Sequence, residues 1–242
     1  MRKRIIFISL TFIILGIVGY IFIYKPFNNQ IEVREEKIIE NIDNISINTV
    51  STDVNVVPSK DSTVYVELLG NSNEKYVPKL VTTTNNHQLK VDVEDYGENK
   101  WFNLSSLTLK VHVPQNLIDS FELNSISGNV AIQDVEAKRL KFNTNSGDMN
   151  FKYTLGDYTI ETTSGNVEMH LKEISQPMTI DSESGNIQIK TNQKPTNATF
   201  TTKTLSGKVT IFDENHSHNI FGLGQNKIEI KSTSGNISID TN

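Results

Sequence analysis

The residues best suited to chemistry are three carboxylates, Glu161, Asp181 and Glu183, which fall at matching places of a repeated sequence pattern. On strands with alternating side chains, Glu161 of one repeat and Asp181 of the next would stand side by side on the outer face, with Glu183 two residues on. Such carboxylates could share acid and base roles on a glycan or hold a hard cation such as Ca2+. A solvated strand face explains the same residues, and Asn143, Asn145, Thr201 and Lys203 in other repeats interrupt any long acidic groove. His216 and His218 would share one face of an extended segment and, with Asp213 or Glu214, could bind Zn2+, although two imidazoles leave such a site incomplete. His87, His112 and His170 show no ligand spacing.

Other residues suggest binding rather than reaction. Asn129, Asn166, Asn186 and Asn236, with Asp53 and Asp148, each follow a turn position and should stack along one edge. They could form a saccharide-binding strip, or only supply turn chemistry, and Lys208 interrupts the series. Trp101-Phe102, after Tyr96-Gly97, could be an exposed patch for carbohydrate or the membrane interface, or a plug at the open N-terminal end. Gly222-Leu223-Gly224 lacks the Gly-Lys-Ser/Thr and βαβ context of a nucleotide loop. With no cysteine, thiolate metal sites and disulfides are excluded. No catalytic, cofactor or metal residue is therefore assigned.

These candidates are positioned by a repeat. Its glycines are Gly128, Gly147, Gly165, Gly185, Gly207 and Gly235, at intervals of 19, 18, 20, 22 and 28 residues. Two alternating apolar residues precede each glycine, as Met178 and Ile180 precede Gly185, save that Thr202 takes one of these places before Gly207, and two follow, as Ile187 and Ile189 do. Three residues before each glycine stands a hydroxyl: Ser125, Thr144, Thr162, Ser182, Thr204 and Ser232. Period-2 alternation buries one strand face, and Ser-Gly-Asn makes a corner, so the pattern predicts an all-β solenoid, β-helix or β-roll in character, with coils of about 18–22 residues. The hydroxyls are expected to bond between coils. A degenerate copy at Ile45–Val56, with Thr52 in the glycine place, should start the stack. Strands at Val64–Leu68, Leu89–Val93 and Leu107–Val113 should form an N-terminal β-meander cap.

Ile5–Tyr24 is a run of twenty largely apolar residues, long enough to span a bilayer. No Ala-x-Ala cleavage pattern follows, and Arg2, Lys3 and Arg4 precede it, which predicts an uncleaved anchor with a cytoplasmic N-terminus. The expected organisation is a cytoplasmic tail at 1–4, a transmembrane helix at 5–24, a charged linker at 25–41 and an extracytoplasmic domain at 42–242. The net charge is −5 and the basic residues before the anchor contribute nothing outside, so nucleic acid is not an expected partner.

The Ile-x-Ile-x-Thr-x-Ser opening, the strand ending Val113-Pro114, the repeated Ser-Gly-Asn corners and the Gly222-Leu223-Gly224 stretch together resemble the bacterial adhesin-like β-strand-repeat family, a domain of unknown function. The resemblance covers about residues 40–242, and the anchored arrangement is similar to LiaG-type envelope proteins of low-GC Gram-positive bacteria. It implies an envelope setting with a link to stress-response operons, and brings no catalytic residues. The expected role is a non-catalytic, membrane-anchored binding or scaffold module for a cell-wall polymer or membrane-protein partner. Alternatives are a glycan-active enzyme using Glu161, Asp181 or Glu183, and a sensory accessory of a membrane signalling system. Because the chain stops three residues after Ile239, the final coil should expose a strand edge, favouring end-to-end self-association unless residues 213–225 cover it.

Overall fold

The computed structural model describes residues 30–73, 77–94, 106–213 and 218–242. These residues form strands and turns, with no helix among them. The expected anchor at 5–24 lies outside them, and no helix of the described residues is long and apolar enough to cross a membrane.

The repeat folds as its alternation requires. Each coil gives one strand to either of two facing sheets: β2 (Asn44–Thr49) with β3 (Asp53–Pro58), β8 (Ile118–Ser125) with β9 (Val130–Gln133), and β10 (Glu136–Ser146) with β11 (Met149–Lys152). There follow β12 (Leu155–Ser164) with β13 (Val167–Leu171), β14 (Met178–Ser184) with β15 (Ile187–Thr191), β16 (Ala198–Ser206) with β17 (Val209–Ile211), and β19 (Asn226–Ser234) with β20 (Ile237–Thr241). Coil neighbours pair in parallel and in register, so Phe142 lies beside Ile160 and Ile160 beside Ile180. Apolar side chains thus stack upon their counterparts in one continuous core between the sheets, including Phe121, Phe142, Phe151 and Phe200. Fully burying such a side chain is worth about 1.5–3 kcal/mol.

The N-terminal part departs from a simple meander. β6 (Gln88–Glu94) pairs in parallel with β2, and β7 (Ser106–Val113) in parallel with β3, so these strands add a further level to the stack. Antiparallel strands then finish each sheet: β5 (Lys79–Asn85) beside β6, and β4 (Val64–Asn73) beside β7. The stretch expected to be a linker contributes β1 (Gln30–Ile39), the edge strand outside β4. Its alternation was hidden because only Val33 is fully buried, whereas Glu35, half-buried, accepts the backbone N–H of Leu80 at 3.1 Å.

The coils do not stack in sequence order. The last coil is interpolated: β19 lies between β14 and β16, and β20 between β15 and β17. The Gly207 coil is therefore terminal, and β18 (His218–Phe221) closes its side by antiparallel pairing with β16. Phe200, Phe212 and Phe221 plug that end, with ring centroids 6.0, 5.7 and 5.4 Å apart. The C-terminal strand is thus not an exposed edge; Asn242 donates its backbone N–H to Thr191 at 2.9 Å. Among the described residues the open edges belong to β17 and β18 at one end and to β1 and β5 at the other.

Stacking is closest at the corners. A Cβ on Gly185 would stand 2.1 Å from the carbonyl oxygen of Gly165, and one on Gly235 would stand 1.9 Å from that of Gly185. Gly185→Ala, at a φ of 131°, is expected to cost about 3 kcal/mol or more in urea unfolding. A change below about 0.5 kcal/mol, the range of a neutral surface substitution, would contradict the contact.

Candidate functional site

The outer face of the β8–β10–β12–β14 sheet carries the expected carboxylates. Register places Glu161 directly beside Asp181, and Glu183 lies two residues along the same strand face. With Asn124, Asn143 and Asn145 they line a shallow groove of about 500 Å³. The interpolated coil changes one flank, because Lys231 stands beside Asp181, and Lys203 beside Lys231. The acidic patch is therefore bounded by amides on one side and by ammonium groups on the other.

The amides form a polarised chain. Asn143 Nδ2 donates to Asn124 Oδ1 at 2.8 Å, Asn124 Nδ2 to Asn48 Oδ1 at 3.1 Å, and Asn48 Nδ2 to Asp92 Oδ1 at 2.9 Å. Lys90 Nζ holds the other Asp92 oxygen at 2.8 Å. At the opposite end Asn143 Oδ1 is buried without a partner, because the neighbouring place in the next coil holds Glu161, which when ionised has no proton to donate. Glu161, Asp181 and Glu183 are exposed and make no side-chain hydrogen bond or ion pair with other described residues. The three carboxyls are thus gathered in one groove without a bonded neighbour among the described residues. Among the described residues no three His, Cys, Asp or Glu side chains are grouped to hold a metal ion.

The corner residues form a second chain. Asp53 Oδ1 accepts the Asn129 N–H at 2.8 Å, Asn129 Oδ1 that of Asp148 at 3.0 Å, and Asp148 Oδ1 that of Asn166 at 2.7 Å. Asn166 Oδ1 accepts from Asn186 at 3.0 Å, Asn186 Oδ1 from Asn236 at 2.9 Å, and Asn236 Oδ1 from Lys208 at 2.9 Å. Lys208, expected to interrupt this series, instead ends it: its coil is terminal and needs no onward acceptor. The hydroxyls differ from expectation. Thr49 bonds Ser125 in the adjacent coil at 3.2 Å, but Thr144 and Thr162 donate to carbonyls of their own corners at 3.0 and 3.3 Å. Thr204 reaches the Gly235 carbonyl of the adjacent coil at 3.0 Å, while the buried hydroxyls of Ser182 and Ser232 bond to nothing. A continuous ladder of hydroxyls between coils therefore does not form.

His216, Glu214, Trp101, Phe102, Tyr96 and Gly97 lie outside the described residues, and of His218 only the backbone, paired with Thr201, is described. His87 and His170 are engaged locally, by the Asn41 carbonyl at 2.8 Å and by Glu168 at 2.8 Å. Gly222 is a corner at φ 59°, where a Cβ would meet the Thr196 carbonyl. One cluster escaped the sequence reading. Tyr65 and Glu67 on β4 face His112 on β7, with the Tyr65 hydroxyl 3.1 Å from Glu67 Oε1 and His112 Nε2 3.4 Å from Glu67 Oε2. The signal lay in the alternate, outward positions of two strands read only for their apolar residues. Partial burial, reinforced by Glu36 and Glu67, pushes the Tyr65 phenol up to about 12, so it remains a neutral donor at physiological pH.

The Toastrack DUF4097 family profile matches this chain over residues 42–152 and again over 102–240. The chain belongs to the Toastrack DUF4097 family. The two matches overlap, as an internal repeat permits, and together take in nearly all of the described Toastrack fold. Among solved structures, the chain is similar to a protein of Clostridium sporogenes provisionally named a cell adhesion protein, at 13% identity and a TM-score of 0.49, covering 88% of this chain and 100% of that one. It is also similar to a provisionally named adhesin of Bacteroides fragilis, at 14% identity and a TM-score of 0.37, covering 90% and 99% of the two chains. No curated protein is similar enough to count as a match.

The corner chain of this Toastrack protein makes a graded prediction. Asn186→Ala removes the acceptor for the Asn236 amide and is expected to lower stability by about 1 kcal/mol, whereas Lys208→Ala is expected to change it by under about 0.5 kcal/mol. Urea midpoints of the two variants measure the difference; equal effects would deny the polarity of the chain.

Proposed function

We propose that this Toastrack protein is a non-catalytic binding or scaffold module of the cell envelope, held by a single membrane-spanning helix at 5–24 with its β domain outside. The observation that carries the reading is the disposition of the outward amides: the Asn48–Asn124–Asn143 row and the corner residues from Asp53 to Asn236 bond to their counterparts in adjacent coils, and neither row gathers a nucleophile, a base and an electrophile at one point. A surface built this way is rigid and repetitive, suited to an extended partner such as a wall polymer or the ectodomain of another membrane protein. The apolar run at 5–24 and the basic residues before it support the anchor and its orientation. The resemblance to LiaG-type envelope proteins supports a setting in envelope stress.

Crosslinking of the full-length protein in intact cells, with a variant lacking residues 5–24 as control, is expected to recover a wall polymer or one membrane protein only from the anchored form. Equal recovery from the soluble variant would count against anchoring. A glycan-active enzyme remains the outcome to exclude: the parent protein is expected to turn over no wall polymer. Turnover lost in a folded Asp181→Ala variant would replace the binding reading with the enzymatic one.

A further inference from the structure

An outward row on the opposite sheet differs from its polar surroundings. Ile38 on β1, Tyr65 on β4, His112 on β7 and Val57 on β3 are mutual neighbours across four adjacent strands. All four point away from the core, since Val64, Val66, Val111, Val113 and Val56 between them are buried, and Ile38 is 71% exposed. At about 4.8 Å per strand the row runs for about 14 Å. Glu36, Glu67, Lys110 and Asn55 form the next outward row, so the apolar strip is confined to one line of the sheet.

The strip floors a cleft of about 480 Å³, walled by the loop from Pro58 to Thr63 and by Gln133. Both rings are fixed through Glu67, and their centroids lie 5.3 Å apart at a tilt of 49°. The wall is fixed too. Asp61 Oδ1 accepts the Thr63 N–H at 3.0 Å, the Thr63 hydroxyl at 2.6 Å and the Ser59 hydroxyl at 3.2 Å. These bonds hold the Asp61 carboxyl below its usual range and engage one of its two oxygens, while Lys60 and Gln133 stand exposed at the rim.

We propose that this cleft is a saccharide-binding site that takes a neutral glycan, its pyranose rings lying along the Ile38–Tyr65–His112–Val57 row. A pyranose has an apolar C–H face and a rim of hydroxyls. The first fits a floor of aromatic and aliphatic side chains, and the second needs planar acceptors and donors such as a carboxylate and an amide. Glu36, Glu67 and Asp61 are balanced by Lys60, by Lys110 beside Glu67 and by Arg34, which pairs with Glu36 at 2.7 Å, so the surroundings hold no cationic excess to draw an anionic polymer. A purely apolar ligand would leave the ordered polar wall unused. The groove at Glu161 and Asp181 offers no ring, so the two surfaces are chemically distinct, and this inference does not depend on how the chain is anchored.

The test is calorimetric titration of the full-length protein, in a detergent without a sugar headgroup, with the N-acetylglucosamine tetramer and with the β-linked glucose tetramer. At least one is expected to bind. Tyr65→Leu, which keeps an apolar side chain but removes the ring, is expected to raise Kd about tenfold, and Gln133→Ala, on an exposed position, about threefold, with melting temperatures near the parent's. Should Tyr65→Leu fail to fold, Gln133→Ala alone carries the comparison. The proposal is overturned if neither tetramer binds, if affinity is unchanged in the folded variants, or if binding survives both substitutions and is lost in Asp181→Ala.

Discussion

At each corner of the stack a backbone carbonyl of one coil occupies the space where a Cβ of the next would lie, and the other contacts between coils follow from that approach. With the Gly185 carbonyl pressed against the virtual Cβ of Gly235, the strands on either side are drawn into hydrogen-bonding distance in both sheets at once. That in turn puts Asn186 Oδ1 within reach of the Asn236 amide and lays Ile180 against Ile230. Thr52, a buried residue, occupies the corresponding corner of the first coil, and its carbonyl fills the place of a Cβ on Gly128. The corner thus links local sequence to long-range order: one residue without a side chain fixes the spacing of two sheets and a polar chain.

The strands and their buried faces were legible because alternation is a property of each coil alone. Met178, Ile180, Ile187 and Ile189 announce their coil without reference to any other. The order of coils was not legible. Every coil presents the same register, so apolar packing accepts several arrangements, and what separates them is the side chain after the glycine. Lys208 has no carbonyl to offer a following amide. Placed before the Asn236 coil it would leave that amide without its acceptor, whereas placed after it the chain of bonds runs unbroken from Asp53. The aromatic trio at Phe200 suits the same arrangement, since an end needs a plug and an interior level does not. β1 was missed for a different reason: an edge strand buries little, and its inward Glu35 serves a backbone amide instead of the core.

The candidate site shows the same division. Glu161 and Asp181 were placed together from the repeat, because in-register parallel pairing converts equal offsets into neighbours. Tyr65, Glu67 and His112 belong to strands outside the repeat, where antiparallel pairing of β4 with β7 decides which residues meet. No internal periodicity reports that register. The Lys231 flank was equally hidden, since it depends on a coil arriving from the far end of the chain.

The interpolated coil also governs when the molecule can be completed. Within the repeat, a chain that emerges N-terminus first can lay its coils one upon another, from β8 with β9 as far as the Gly185 coil, each using its predecessor as a template. The Gly207 coil then emerges with its proper neighbour still unmade. It must wait, or rest provisionally on a surface that belongs to another segment, until β19 and β20 have appeared. Assembly is therefore sequential along the repeat up to the Gly185 coil and concerted beyond it, so that loss of β19 and β20 removes the seat of two levels rather than one. The β19–β20 coil thus acts as a keystone for the level beyond it.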